Sequence, residues 1–429
     1  MDNLYFHNEI LRSCCLPARH RKADIDLISR TLNAHGTLLL TPLQSGLYSA
    51  SNGIQTGDSG YDKVWVRDNV YVALAQLESG NPNNALAVAK GLIRFFSIHR
   101  ERFDNIIAGR TDPTNVQNRP HVRFNGKTLT EIQDQHWAHA QNDAIGYFLW
   151  LCAILSRRKV MSLDSTDYEI LSLVVQYLRA IRFWEDEDSG HWEEARKISS
   201  SSIGVVVAGL DALAALLDSL PPHSHIRQNQ LLNLTSDLIG FGRRELAATL
   251  PNECKQISPL QNRRYDAALI FLLYPLGVVE GAMADLILSD VRRFLTGHIG
   301  IRRYLRDSYW APEYDTRVPQ SEQTRDYSED MYTRDVLLER VGDEAQWCIF
   351  DSILSVIYGQ RFQQGGAIVD REFQALHFNR AIAQITQDWK CPELYYLKDG
   401  LYRPNPHSPL LWAQANLTLA FKMAYITAS

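Results

Sequence analysis

The rhythm of its connections is what most constrains how this chain can fold. Apolar residues at three- and four-residue spacing predict helices over 23–34, 69–77, 85–103, 137–156, 165–183, 203–220, 226–246, 264–274, 280–295, 343–358, 365–389 and 410–426. A short leading helix is expected over 4–16, and no stretch reads convincingly as a strand. Long and short connections alternate, with a long one after every second helix. Unstructured loops beyond ~12–15 residues are usually functional. Their recurrence at every other connection predicts helical hairpins arranged in a ring, with all long loops opening on one face. The helices after the long loops are apolar on most faces, as buried helices are. The expected architecture is therefore all-α: an (α/α)6 barrel of six inner and six outer helices. Residues 1–429 read as a single domain. No 34- or 40-residue repeat supports a solenoid instead.

Composition removes several function classes. The formal net charge is -5 and the sequence pI about 6.2, which argues against a nucleic-acid surface. No apolar run is read as reaching the ~18 residues that span a bilayer, so no membrane association is expected. The N-terminus lacks a basic segment followed by an apolar one, so no signal peptide is expected. The 6 cysteines form no CxxC pair and four fall in or beside apolar helices. That usage suits free thiols in a reducing compartment and predicts a cytoplasmic protein. Oligomeric state is not legible.

The long loops carry the chemistry. Gly190-His191-Trp192-Glu193-Glu194 places two carboxylates behind a Trp, ahead of a serine run (199–202) suited to capping a helix. A carboxyl against an aromatic face is partly desolvated, which favours the neutral form that can protonate a leaving group. An acidic surface turn would look the same. Similar clusters stand where the other long loops meet the inner helices: Trp65, Arg67 and Asp68; Trp137, Gln141 and Asp143; Arg264 and Asp266; Arg303, Arg306 and Asp307; Glu393, Tyr395, Tyr396 and Trp412. Taken alone, Asp143 reads more readily as a helix-start cap or a satisfied core group; its place among these clusters makes it an expected sugar contact. Aromatic faces with interleaved carboxylates and arginines suit a sugar, whose C–H faces stack and whose hydroxyls need polar partners. His136 and His139 flank Trp137, but no third ligand at metal spacing follows, so neither metal nor cofactor is expected. The charged run 322–340 reads as a solvated loop or a lid. No phosphate-cradling glycine loop or Ser-His-Asp arrangement is present.

Several stretches together resemble glycoside hydrolase family 15, the glucoamylase family, and the related N-terminal region of the phosphorylase kinase alpha and beta subunits. They are Gly46–Ala50, Val64–Asn69, Trp137–Asp143, Trp192-Glu193, Ser200–Gly204, Tyr265–Leu269, Arg303–Asp307 and Leu411–Gln414. The resemblance implies an inverting, exo-acting hydrolysis of α-glucosidic bonds in an α-glucan or maltooligosaccharide. It implies Glu193 as general acid and Glu393 as the base that activates water, with Glu372 and Asp399 as alternative bases. Arg67 and Asp68 would grip the terminal glucose, and Trp65, Trp137, Trp192 and Trp412 would wall the first subsites. Arg303 and Asp307 would contact sugar at the rim, and Glu194 would hold hydroxyls. No starch-binding module is expected in a chain of this length, which points to short soluble substrates. Two other readings follow from the same likeness: a regulatory, sugar-sensing domain, and another inverting glycosidase such as a trehalase. No regulatory tail is expected after the barrel, which favours the reading as a free-standing enzyme.

Overall fold

The computed structural model describes residues 4–51, 60–132, 137–219, 225–255 and 262–428. The inner ring is built from α2 (Val66–Glu78), α5 (Asn142–Arg157), α7 (Ser200–Ser219), a 3-10 turn Ala267–Leu272, α12 (Phe350–Gly365) and α14 (Leu411–Thr427). Each of these packs on the next, and α14 returns to α2, so the ring closes. Each inner element also carries an outer partner. These are α3 (Pro82–Ile98), α6 (Ser165–Ala180), α8 (His225–Thr249), α9 (Gly281–Asp290), α13 (Ile368–Ala383) and, on α14, α1 (Lys22–Ala34). Three short helices complete the set: α4 (Glu101–Ile107), α10 (Tyr314–Arg317) and α11 (Met331–Leu337). This is the expected six-hairpin toroid.

The two rings differ as burial requires. The outer α1 buries only Ile25, Ile28 and Leu32, a stripe at helical spacing. The inner α2 buries every residue from Val66 to Gln76. One apolar cluster runs from Phe6 to Ala424 and joins the hairpins. Between α5 and α7 the backbones touch through glycine. A Cβ at Gly146 would stand 2.8 Å from the Val206 nitrogen, and one at Gly209 2.6 Å from the Gly146 carbonyl.

Four sequence expectations need correction. Short strands exist: β1 (Val64–Trp65), β2 (Arg123–Asn125) and β3 (Thr130–Glu131) form one antiparallel sheet, and β4 (Gln346–Trp347), β5 (Leu394–Lys398) and β6 (Leu401–Pro404) another. They are too short for alternation to show. The helix expected over 264–274 shrinks to the 3-10 turn, because the Asp266 side chain caps it at Ala268 and Pro275 follows closely. The helix expected over 343–358 starts only at Phe350, since Gln346 and Trp347 pair with β5. Finally, α7 is long and apolar enough to cross a membrane by length and composition, yet most of it is buried within the ring.

Candidate active site

The long loops surround a cavity of about 1160 Å³ at one end of the ring. Trp65 ends β1 and precedes the first residue of α2, so Arg67 and Asp68 occupy the first helical turn and face the cavity. Trp192 closes a 3-10 turn, and Glu193 follows it with a left-handed backbone (φ 59°). That conformation is disfavoured for a residue with a Cβ and sends neighbouring side chains apart. It gives the two adjacent glutamates unlike surroundings.

Glu193 accepts a hydrogen bond from Trp65 Nε1 at 2.8 Å, and Arg67 lies 3.6 Å away. Burial raises its carboxyl above the usual range, against the pull of Arg67 and Arg123. Glu194 is saturated: Lys197 and Arg263 each lie 2.6 Å from it, and the Tyr304 hydroxyl donates at 2.5 Å. It remains ionised because these cations outweigh the effect of its burial. Arg263 also bonds Asp266, which accepts from Trp192 Nε1 at 2.9 Å and so fixes that indole.

Glu393, at the start of the β5 hairpin, accepts from Tyr61 Oη at 2.6 Å and from Asn405 Nδ2 at 2.5 Å. Burial lifts its carboxyl to about 7, and these two hydrogen bonds oppose the rise. The rings of Tyr61 and Trp65 lie 5.5 Å apart. The partners of the two glutamates thus stand side by side. Asp68 is likewise raised to about 7 by burial, with Arg67 opposing. Of the alternative bases, Glu372 is exposed on α13 and Asp399 at the hairpin turn; neither lines the cavity.

Trp65, Arg67, Asp68, Trp137, Trp192, Glu193, Glu194, Arg303, Glu393 and Trp412 all line this one cavity. Asp143 and Asp307 do not, which corrects their expected role as sugar contacts. Asp143 sits behind Arg67 and accepts from its Nε at 2.6 Å, while Gln141 takes the same guanidinium at 2.8 Å. Asp307 grips Arg303 with both oxygens, at 2.6 and 2.8 Å. A planar guanidinium held from behind in this way keeps a fixed aim. Arg264, Arg306, Tyr395 and Tyr396 also lie off the cavity. The cap expected from the serine run comes from elsewhere. Glu253 accepts from Ser201 N at 3.1 Å and Ser201 Oγ at 2.6 Å.

The lining residues not anticipated include Tyr61, Arg123, Tyr309 and Trp347. Arg123 stacks between Trp65 and Trp137, 4.6 and 3.9 Å from their ring centres. Arg303 lies 4.9 Å from the centre of Trp347. The buried indole nitrogens of Trp137, Trp347 and Trp412 have no hydrogen-bond partner among the described residues. No group of three metal-ligating side chains occurs among the described residues, and His136 of the suggested pair lies outside them.

A closed ring of six helical hairpins with carboxylates and tryptophans at one rim is the architecture of the six-hairpin glycosidases. The glycosyl hydrolases family 15 profile matches residues 28–402, and the chain belongs to that family. Its solved neighbours include a glycosidase variant in complex with glucose, with TM-score 0.66 and 18% identity, covering 94% of this chain and 98% of that one. A bacterial glucoamylase complexed with acarbose gives TM-score 0.60 and 16% identity, covering 90% and 53%. The glucoamylase of Saccharomycopsis fibuligera gives 0.58 and 14%, covering 95% and 97%. Among curated proteins, the chain is 23% identical over 305 residues to the phosphorylase b kinase regulatory subunit alpha, liver isoform, of Oryctolagus cuniculus, covering 61% of this chain and 22% of that protein. A probable alpha subunit of Caenorhabditis elegans is 26% identical over 271 residues, covering 57% and 21%. The matches thus take in about a fifth of the length of these relatives.

Proposed function

We propose that the protein is an inverting, exo-acting α-glucosidase of glucoamylase type that releases glucose from the non-reducing ends of α-glucans or maltooligosaccharides. Glu193 is the general acid and Glu393 the general base. The observation that carries this reading is the convergence of Glu193 and Glu393, 200 positions apart, on one cavity. Inversion requires two carboxyls separated widely enough to admit a water between base and sugar. The acid is supplied by burial, which favours its protonated form. The hydrogen bonds that Tyr61 and Asn405 donate to Glu393 favour its ionised form, which accepts the water proton. Arg67 and Asp68 take hydroxyls of the terminal glucose, and the tryptophans supply its apolar walls. The six cysteines are free thiols, five of them buried, which suits a reducing compartment, and we place the protein in the cytoplasm.

The second reading is a sugar-sensing regulatory domain, favoured by the names of the curated relatives, which are regulatory subunits. One experiment separates the two. The pure protein is incubated with maltose, maltotriose, isomaltose and trehalose, and glucose release is measured. Release that disappears in Glu193→Gln and Glu393→Gln supports the hydrolase. Sugar binding without turnover on any of the four supports the sensor, and turnover of trehalose alone redirects the assignment to a trehalase.

A further inference from the structure

We propose that the segment between Arg317 and Leu337 is the wall that holds the sugars beyond the cleaved bond, and so sets the chain length this site prefers. The inference rests on the α-glucan reading above. It concerns residues that neither the sequence clusters nor the acid–base pair account for.

The first observation is size. At about 1160 Å³ the cavity exceeds the ~300–1,000 Å³ of pockets that enclose drug-sized ligands, so it has room for more than one hexose. The second is the lining. One part of the lining comes from Trp65, Arg67 and Asp68 at the start of α2, Trp412 at the start of α14, and Glu393. The remaining wall includes Ser321, Glu322, Thr324, Arg325, Asp326 and Glu329, all from this one segment. These six offer carboxylates, hydroxyls and a guanidinium and no aromatic ring. They would bind sugar hydroxyls by hydrogen bonds and not by stacking. Arg196 also lines the cavity, and the carbonyls of Glu187 and Thr114 hold it, each at 2.9 Å.

The third observation is attachment. Arg317 ties the two ends of the segment together through the carbonyls of Val336 and Leu337, the latter at 3.0 Å. Inside it, the Tyr327 hydroxyl donates to Glu322 at 2.9 Å. The segment is clasped to the catalytic loop at Ala195, whose amide donates to Ser328 Oγ at 2.9 Å and to Asp326 Oδ2 at 3.1 Å. Ala195 follows Glu193 by two residues. A general acid delivers its proton to the glycosidic oxygen, so the departing sugars lie on its side of the cavity. A wall fastened beside the acid therefore meets the leaving chain and not the terminal glucose.

The test compares binding of glucose with binding of maltopentaose by isothermal titration calorimetry, on a Glu193→Gln background so that no sugar is consumed. Two variants are added separately. Arg325→Ala/Glu329→Ala removes two exposed wall groups, and Asp326→Ala/Ser328→Ala undoes the clasp. The parent is expected to bind maltopentaose at least tenfold more tightly than glucose. Each variant is expected to lower that preference by about five- to tenfold, the worth of one or two hydrogen bonds, with glucose affinity within about twofold. A preference that neither variant moves, equal losses for both sugars, or a parent with no preference overturns the proposal. Turnover by the wild-type protein separates this outcome from the hydrolase reading. An inactive protein with a variant-sensitive preference sinks the hydrolase and keeps the segment as the wall that binds the longer sugar. An active one with an unmoved preference does the reverse, and an inactive protein that binds neither sugar sinks both.

Discussion

The Tyr61 hydroxyl donates to the Glu393 carboxylate at 2.6 Å, across 332 positions of sequence. This hydrogen bond favours the ionised carboxylate against a burial that raises Glu393 to about 7. A base works only when ionised, so kcat/KM for maltose should fall as the pH drops through about 7. In Tyr61→Phe the opposing hydrogen bond is gone, the carboxyl titrates higher still, and the acidic limb should move up by about one pH unit. Asp68 titrates nearby, so the limb reports an apparent value of the interacting groups. A limb that stays in place, or moves down, contradicts the assignment of Glu393 as base.

Asp143 and Asp307 brace arginines, so their loss should cost stability before it costs chemistry. The Arg67 and Asp143 side chains are 3% and 0% exposed, and Arg303 and Asp307 are 5% and 1% exposed. Replacing either aspartate by alanine leaves a buried cation without its partner, at a cost of roughly 3–5 kcal/mol. Chemical denaturation of Asp143→Ala and Asp307→Ala should show that loss. A change below about 1 kcal/mol in both would show that these pairs do not hold the site together.

The contact between α5 and α7 gives a test of the inner ring. Gly146→Ala pushes a methyl group against the Val206 backbone, which cannot yield as a side-chain end would. A destabilisation of about 1–3 kcal/mol or more is expected. Gly365→Ala, at the end of α12 with nothing within 4 Å of the added carbon, should be neutral or mildly stabilising. Equal effects at the two positions would contradict the packing described.

His121 and His139 stack with ring centres 3.7 Å apart, and burial lowers them to about 4 and about 2. In the unfolded chain each takes up a proton below about pH 6.5. The folded protein does not, so stability should fall as pH drops below 6.5. At pH 5 each contributes a loss of about 2 kcal/mol. Urea midpoints measured from pH 7 to pH 5 should show this slope, and His139→Phe should flatten it. An unchanged slope would mean that this ring is protonated in the folded state.

Much of the fold was legible because loop length and helix polarity are local properties. Alternating loops gave the hairpins, and all-round apolar segments such as 203–217 gave the inner ring. The strands escaped because a two-residue stretch such as Gln346-Trp347 has no period, and its partner Leu394-Tyr395 lies far along the chain. The same blindness governed the site. Trp65, Arg67 and Asp68 share one turn, as Trp192, Glu193 and Glu194 share another, so their grouping was visible. Trp347 was hidden inside an expected helix. Tyr61 and Arg123 become site residues only once β1 pairs with β2 and the hairpin brings Glu393 across. The wall at 321–329 needs contact with Ala195, more than 120 residues away. Asp143 and Asp307 read as sugar contacts because composition distinguishes a carboxylate from a hydrophobe, not the front of an arginine from its back.

The most direct measurement is proton NMR of maltotriose during the first minutes of incubation, before the released glucose mutarotates. The wild-type protein should release β-glucose from the α-linked sugar. Glu193→Gln and Glu393→Gln should each lower the rate by at least about a hundredfold while still binding sugar. Release of α-glucose, or turnover that survives in either variant, would contradict the two-carboxylate account.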